Sequence, residues 1–200
     1  MFIQAIRGRA KDEAGLRKQI ERWREDLAPG ATGWLGTTAG IGSNGEFLAV
    51  ARFESEDAAR QNSDRAEQGE WWNETSQYFD GDAEFHNFSN VEVWEGGGSD
   101  DAGFVQAIFG RSDNIKRLNE IGNEMSESMR GQRPDVLGGV ASWTDDGAFL
   151  QTIYFKSESE ARANEGKEMP AELQSAWEEM DKLQRDLQYV DLTEPWLASP

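Results

Sequence analysis

The chain alternates between short β-prone runs and stretches whose apolar residues fall on a helical stripe. Phe2 to Gly8 is rich in β-branched and aromatic residues and lacks Pro, which predicts a strand. From Asp12 to about Leu27 the apolar positions are Leu16, Ile20, Trp23 and Leu27, spaced four, three and four apart, so they line one face of a helix. Pro29-Gly30 stops it. Thr32–Ile41 and Phe47–Phe53 predict two strands joined at Ser43-Asn44-Gly45, where Asn-Gly suits a type I′ hairpin. Ser55 is a good N-cap, with Glu56 and Asp57 in the first turn where the helix dipole favours acids. The helical region it opens extends to about Phe79, with an interruption near Asn62-Ser63-Asp64, and Ala83–Trp94 predicts a fourth strand.

The pattern then returns. Phe2-Ile3-Gln4-Ala5-Ile6-Arg7-Gly8-Arg9 comes back 102 residues later as Phe104-Val105-Gln106-Ala107-Ile108-Phe109-Gly110-Arg111. Leu118, Met125 and Met129 stand where Leu16, Trp23 and Leu27 stood, Asp146-Gly147 matches Asn44-Gly45, and Asn164 matches Asn62. Trp196 closes the second half as Trp94 closes the first. A self-match at one fixed shift is the mark of a duplicated structural unit. The order β-α-β-β-α-β is the split βαβ arrangement of a ferredoxin-like fold. The expectation is an α+β protein of two tandem ferredoxin-like units, 1–95 and 103–200, joined by a flexible Gly/Asp-rich linker at 96–102.

Composition narrows the function classes. The formal charge of -18 argues against nucleic acid and anionic membrane surfaces as partners. Eight Trp and ten Phe supply enough apolar area for packed cores despite the high charge. Cysteine is absent, so thiol catalysis and disulfides are excluded, and His86 is the single histidine, which excludes a His-rich metal centre. No apolar run approaches the roughly 20 residues that span a bilayer. Met1 leads directly into the first strand without a leader-like segment, so a cytoplasmic location is expected.

The densest aromatic cluster is Gln68, Trp71, Trp72, Asn73, Tyr78 and Phe79, followed by Phe85, His86 and Phe88. It could line a cavity for a small flat aromatic ligand, or it could fill the gap between helix and sheet. Trp71, Trp72, Tyr78 and His86 align with Leu173, Gln174, Met180 and Gln188 in the duplicate. A need shared by both scaffolds would keep aromatics in both, so the first half is the better candidate for a site. Gln4 and Gln106 recur at one strand position, where a buried amide must be paired.

The element order, the Phe53-Glu54-Ser55-Glu56-Asp57-Ala58-Ala59-Arg60 start of the second helical region and its Trp-rich end resemble the dimeric α/β barrel superfamily, in particular the antibiotic biosynthesis monooxygenase-like group. The resemblance implies two sheets packed face to face as a barrel, here from a single chain: a pseudo-dimeric monomer, with a further homodimer open. It also implies cofactor-independent monooxygenation of an aromatic or polyphenolic substrate. Trp72 and Tyr78 would orient a phenol, His86 or Gln68 would stabilise or remove its proton, and Gln4, Trp71 and Phe85 would join Gln68 in binding it. No metal and no cofactor are expected. Gln in place of the usual Asn and His in place of the usual Arg depart from that pattern. Haem-degrading relatives use a first-strand Asn with a helical Trp and His; Gln4 could replace the Asn, but His86 falls on the last strand. The alternative is a non-enzymatic scaffold, ligand-binding or stress-related protein. A short linker holds the partner half at an effective concentration on the order of mM. Sedimentation at low concentration should therefore show a one-chain species; a species of only twice that mass would refute this.

Overall fold

The structure is a computed structural model that describes residues 1–129, 132–167 and 170–200. The first half comprises β1 (Phe2–Arg9), α1 (Glu13–Arg22), β2 (Trp34–Ile41), β3 (Glu46–Phe53), α2 (Glu56–Ser63), α3 (Ala66–Thr75), β4 (Glu84–Phe88) and β5 (Asn90–Trp94). The second comprises β6 (Phe104–Arg111), α4 (Ile115–Met129), β7 (Val136–Trp143), β8 (Ala148–Phe155), α5 (Glu158–Glu165), α6 (Gln174–Leu183), β9 (Arg185–Leu192) and β10 (Trp196–Ala198). Both halves carry the β-α-β-β-α-β order of tandem ferredoxin-like units. Among the described residues no helix is long and apolar enough to cross a membrane.

Local chemistry explains the helix starts and one helix break. The side chains of Asp12, Ser55 and Ser157 accept hydrogen bonds from the N–H groups of Gly15, Ala58 and Glu160, capping α1, α2 and α5. α1 continues as a π-helical turn, Trp23–Leu27. Between α2 and α3, Arg65 Nη1 donates to Asn62 Oδ1 at 2.9 Å and to the Leu27 carbonyl at 3.0 Å. Asn62 is thus held by a guanidinium at the break between the two helices.

The hairpin turns differ from the type I′ expectation. Gly45 and Gly147 have φ of +77° and +85°, while Asn44 and Asp146 do not enter the positive-φ region. The Gly42 N–H reaches the Glu46 carbonyl and the Gly45 N–H the Gly42 carbonyl, both at 2.8 Å. This is a three-residue loop ending in a left-handed Gly. Arg9 and Arg111 each donate to a turn carbonyl, that of Asn44 and Asp146 respectively.

The larger correction concerns the ends of the repeats. Neither half closes with one long strand. Residues 83–94 contain two strands, β4 and β5, and these enter different sheets. The sheet orders are β10-β2-β3-β1-β4 and β5-β7-β8-β6-β9. Each sheet therefore takes one edge strand from the other repeat. The compact units are Met1–Val91 with Val190–Pro200, and Glu92–Tyr189, not 1–95 and 103–200. The 96–102 stretch is also more ordered than a flexible linker: the Gly97 N–H bonds the Trp94 carbonyl at 3.0 Å. Gly97 packs so closely on β7 that a Cβ at Gly138 would lie 2.5 Å from its carbonyl.

Pairing register fixes which residues of the first unit face its helices. Gln4 pairs with Ala51, Ile6 with Ala49, and Gly8 with Phe47 on β3; Thr37 and Ala39 of β2 continue these rows. Phe47, Ala49, Ala39, Leu16 and Phe79 form one apolar cluster on that face, and Phe2, Trp23, Trp34, Phe53 and Trp71 form another. Ile3, Ala5, Leu48 and Val50 alternate to the opposite face and are fully buried. Leu192 packs there against Gly40.

β10 contributes only three paired residues, Trp196, Leu197 and Ala198, against Ala39, Thr38 and Thr37. Truncation after Glu194 removes this strand and bares the β2 edge. A loss of about 2 kcal/mol corresponds to a Tm drop of roughly 4–8 °C for a chain this long, readable by differential scanning calorimetry.

Candidate functional site: a Trp-walled cavity in the first unit

Between the helix-facing side of the first sheet and helices α1 and α3 lies a cavity of about 270 Å³. Its floor is Gln4, Ile6, Thr37, Ala49 and Ala51; Trp23, Trp71 and Gln68 wall it from the helices, and Pro195 to Ala198 from β10 and the residue before it. The floor is hollow because its central residues are small. Ala49 and Ala51 leave space that longer side chains would occupy, and the π-helical turn begins at Trp23, on the cavity wall. Extra-residue turns of this kind recur at functional sites.

The second unit shows why the space is not a general property of the fold. At the positions of Ala49, Ala51 and Thr37 it carries Gln151, Ile153 and Gly139. Over Gly139 lies Trp94, so close that a Cβ there would come within 2.0 Å of its ring. α4 runs unbroken through the stretch that corresponds to the π-helical turn, with Ile121 and Met125 buried.

The polar groups of the cavity are fixed by their neighbours. Trp23 Nε1 donates to Gln68 Oε1 at 2.7 Å. An indole N–H can only donate, so the Gln68 oxygen must face it, and its NH₂ remains as a donor. Trp71 Nε1 donates to the Gln19 carbonyl at 2.9 Å, which locks that ring against the wall. Gln4 bonds Asn87 side chain to side chain at 3.2 Å across β1 and β4. Trp34 Nε1 donates to Thr37 Oγ1 at 2.9 Å. Trp23 meets Trp34 and Trp71 edge-on, with ring centroids 5.2 and 6.5 Å apart. At the rim, Arg17, Glu21 and Arg24 lie one helical turn apart on one face of the helix, and the Arg17 guanidinium stands over the Trp196 ring at 5.8 Å.

The candidates from the sequence separate into three places. Gln4, Gln68 and Trp71 line the cavity. Trp72, Tyr78 and Phe85 lie outside its lining, in a filled region. Trp72 meets Phe85 edge-on at 4.9 Å and Phe79 at a tilt at 6.1 Å, and Tyr78 covers Gly15, where a Cβ would fall 2.2 Å from its ring. Phe85 is half-exposed. His86 pairs with Ala5, one residue out of step with Gln4 and Ile6, so it belongs to the opposite face of the sheet. There its Nε2 lies 3.4 Å from Glu84. The expectation that His86 joins Trp72 and Tyr78 in one site is corrected by this alternation, and the lining contains no histidine to ligate a haem. Trp23, Trp196, Ala49, Ala51, Arg17 and Arg24 were missed. A signal existed: among inward positions of the repeat, the first half has alanines where the second has Gln and Ile.

No protein-family model and no curated protein sequence matches the chain. Solved structures do. A provisionally named monooxygenase from Lactobacillus acidophilus matches over 99% of this chain and 96% of its own, with 10% identity and a TM-score of 0.75. One from Fusobacterium nucleatum covers 99% and 94%, with 10% identity and a TM-score of 0.79. An anthrone oxidase-like protein covers 99% and 92%, with 10% identity and a TM-score of 0.71. These full-length matches show the fold: a chain of two tandem ferredoxin-like units.

The Trp23–Gln68 bond is tested by Trp23→Phe, which removes the indole donor and part of the ring. Urea unfolding should show a loss of roughly 1–3 kcal/mol.

Proposed function

We propose that the first unit binds a flat aromatic molecule of two or three fused rings in its cavity and supports cofactor-independent oxygenation of it. The observation that carries this reading is a Trp-walled space of about 270 Å³ over an alanine floor. A cavity of about 150 Å³ accepts benzene, so this one has room for a larger ring system. Indole rings offer edge and face contacts to such a ligand, and a few fixed amides orient it. The names of structural neighbours, monooxygenase and anthrone oxidase-like, support the direction of the chemistry.

In this reading the substrate needs no helper to react with oxygen beyond loss of a proton. The Gln68 NH₂ donates to an oxygen on the ring, favouring the phenolate or enolate form. Glu21 at the rim is the lining carboxylate that can take the proton. The electron-rich ring carbon then reduces O₂ and binds it. A ring CH₂ so attacked becomes C=O, one oxygen atom staying in the product and the other leaving as water. Trp23 and Trp71 hold the ring plane, and Gln4 lies at the floor.

Thermal shift against 1-naphthol, anthrone and a naphthoquinol tests the pocket. A ligand at 100 Kd adds about 2.7 kcal/mol, a rise in Tm of roughly 5–10 °C. Ala51→Leu should abolish the shift while the protein stays folded, and Trp72→Phe and His86→Ala should leave it unchanged. An oxygen electrode tests the chemistry. Uptake above buffer that Ala51→Leu removes supports oxygenation, and binding without uptake leaves a ligand-binding protein.

A further inference from the structure

We infer that the aromatic ligand of this cavity is an anion, an aromatic carboxylate or a ring already ionised to the phenolate, recognised at the rim by Arg17 and Arg24. The inference rests on the cavity being the ligand site, as argued above. The floor and walls carry little that chooses between charged and neutral ligands, because they are apolar side chains, amides and the Thr37 hydroxyl. Among the described residues, the ionisable ones that line the cavity are at the rim: Arg17, Glu21 and Arg24, two guanidiniums to one carboxylate. This is a local inversion in a chain of formal charge -18.

The two arginines are not consumed by strong pairs. Arg17 Nε lies 3.4 Å from Glu21, with both side chains about half exposed, and Arg24 lies 3.7 Å from Glu25 with similar exposure. Exposed pairs of that kind contribute little, so a bound anion can displace or share them at small cost. Arg17 is also held in place by standing over Trp196, which keeps its guanidinium at the mouth and not folded away along the helix. Deeper in, Gln68 presents a donor because its oxygen is taken by Trp23. Donors at both ends of an apolar slot select a ligand whose polar atoms accept. The overall negative charge does not cancel this, since charges farther than about 8 Å are largely screened at physiological salt.

The test compares 2-naphthoate with its neutral isostere 2-naphthamide, by quenching of tryptophan fluorescence and by isothermal titration calorimetry. The wild type should bind 2-naphthoate at least tenfold more tightly. The double variant Arg17→Gln/Arg24→Gln should lose that preference while its affinity for 2-naphthamide stays within threefold and its melting curve stays cooperative. Equal affinity for the two probes in the wild type, or a preference that survives in the double variant, overturns the inference. If both probes bind equally and Ala51→Leu abolishes both, the cavity stands as the ligand site and only the anion preference falls. If neither probe binds the wild type, both readings fall together.

Discussion

The alternation of side chains along β1, in register with β3 and β4, is the constraint from which the site follows. Because successive residues face opposite sides, Gln4 and Ile6 must look toward the helices, and Ile3 and Ala5 away from them. The same rule carries through β3, so Ala49 and Ala51 fall beneath α1 and α3 beside Gln4 and Ile6. A one-residue slip would bring Leu48 and Val50 under the helices and fill the space. The cavity thus depends on two small residues being at the right parity, with Trp23 and Trp71 anchored firmly enough that they do not collapse onto them. Their anchors are specific: an amide oxygen for one indole and a helix carbonyl for the other.

Exchange of edge strands gives the tandem arrangement a structural consequence. If each half had kept its own last strand, β2 would have ended the first sheet as an open edge, a template for unwanted pairing. Instead β10 covers it and brings Trp196 to the cavity rim. The first unit's pocket is therefore completed by the last residues of the chain. The two halves differ at inward positions: the first is hollow over alanines, while the second carries Gln151 and Ile153 there and the ring of Trp94 over Gly139. A solid core tolerates larger inward side chains that a hollow one cannot.

Much of the architecture was legible in the sequence because it rests on period and punctuation. The 3.6-residue stripe of Leu16, Ile20, Trp23 and Leu27, the Ser caps and the repeat itself are local or self-referential signals, and the elements follow them closely. The edge-strand exchange was not legible, because a strand's partner is decided by long-range packing, and nothing in Asn90–Trp94 states which sheet it joins. The turn type was misjudged for a related reason: Asn-Gly permits two adjacent positive φ values but does not require them, and Gly45 alone supplies what the three-residue loop needs.

The cavity lining was half legible, and the physical reason is the difference between aromatic density and emptiness. Trp72, Tyr78, Phe79 and Phe85 stand out in the sequence because they are large, and large residues close together more often fill space than leave it. Gln68 and Trp71 belong to that dense stretch, yet they face the other way and line the cavity beside residues that draw no notice. An alanine is silent in a composition scan but decisive on a sheet floor, where replacing two inward side chains by methyl groups opens room for a ring. His86 shows the converse. Its chemistry is conspicuous, but one residue of strand register sets it on the other side of the sheet from Gln4, so the chemistry of a residue type carries weight only after its parity is known. For a duplicated fold the useful comparison is thus between copies at inward positions, where a drop in side-chain volume in one copy marks the cavity before any catalytic group does.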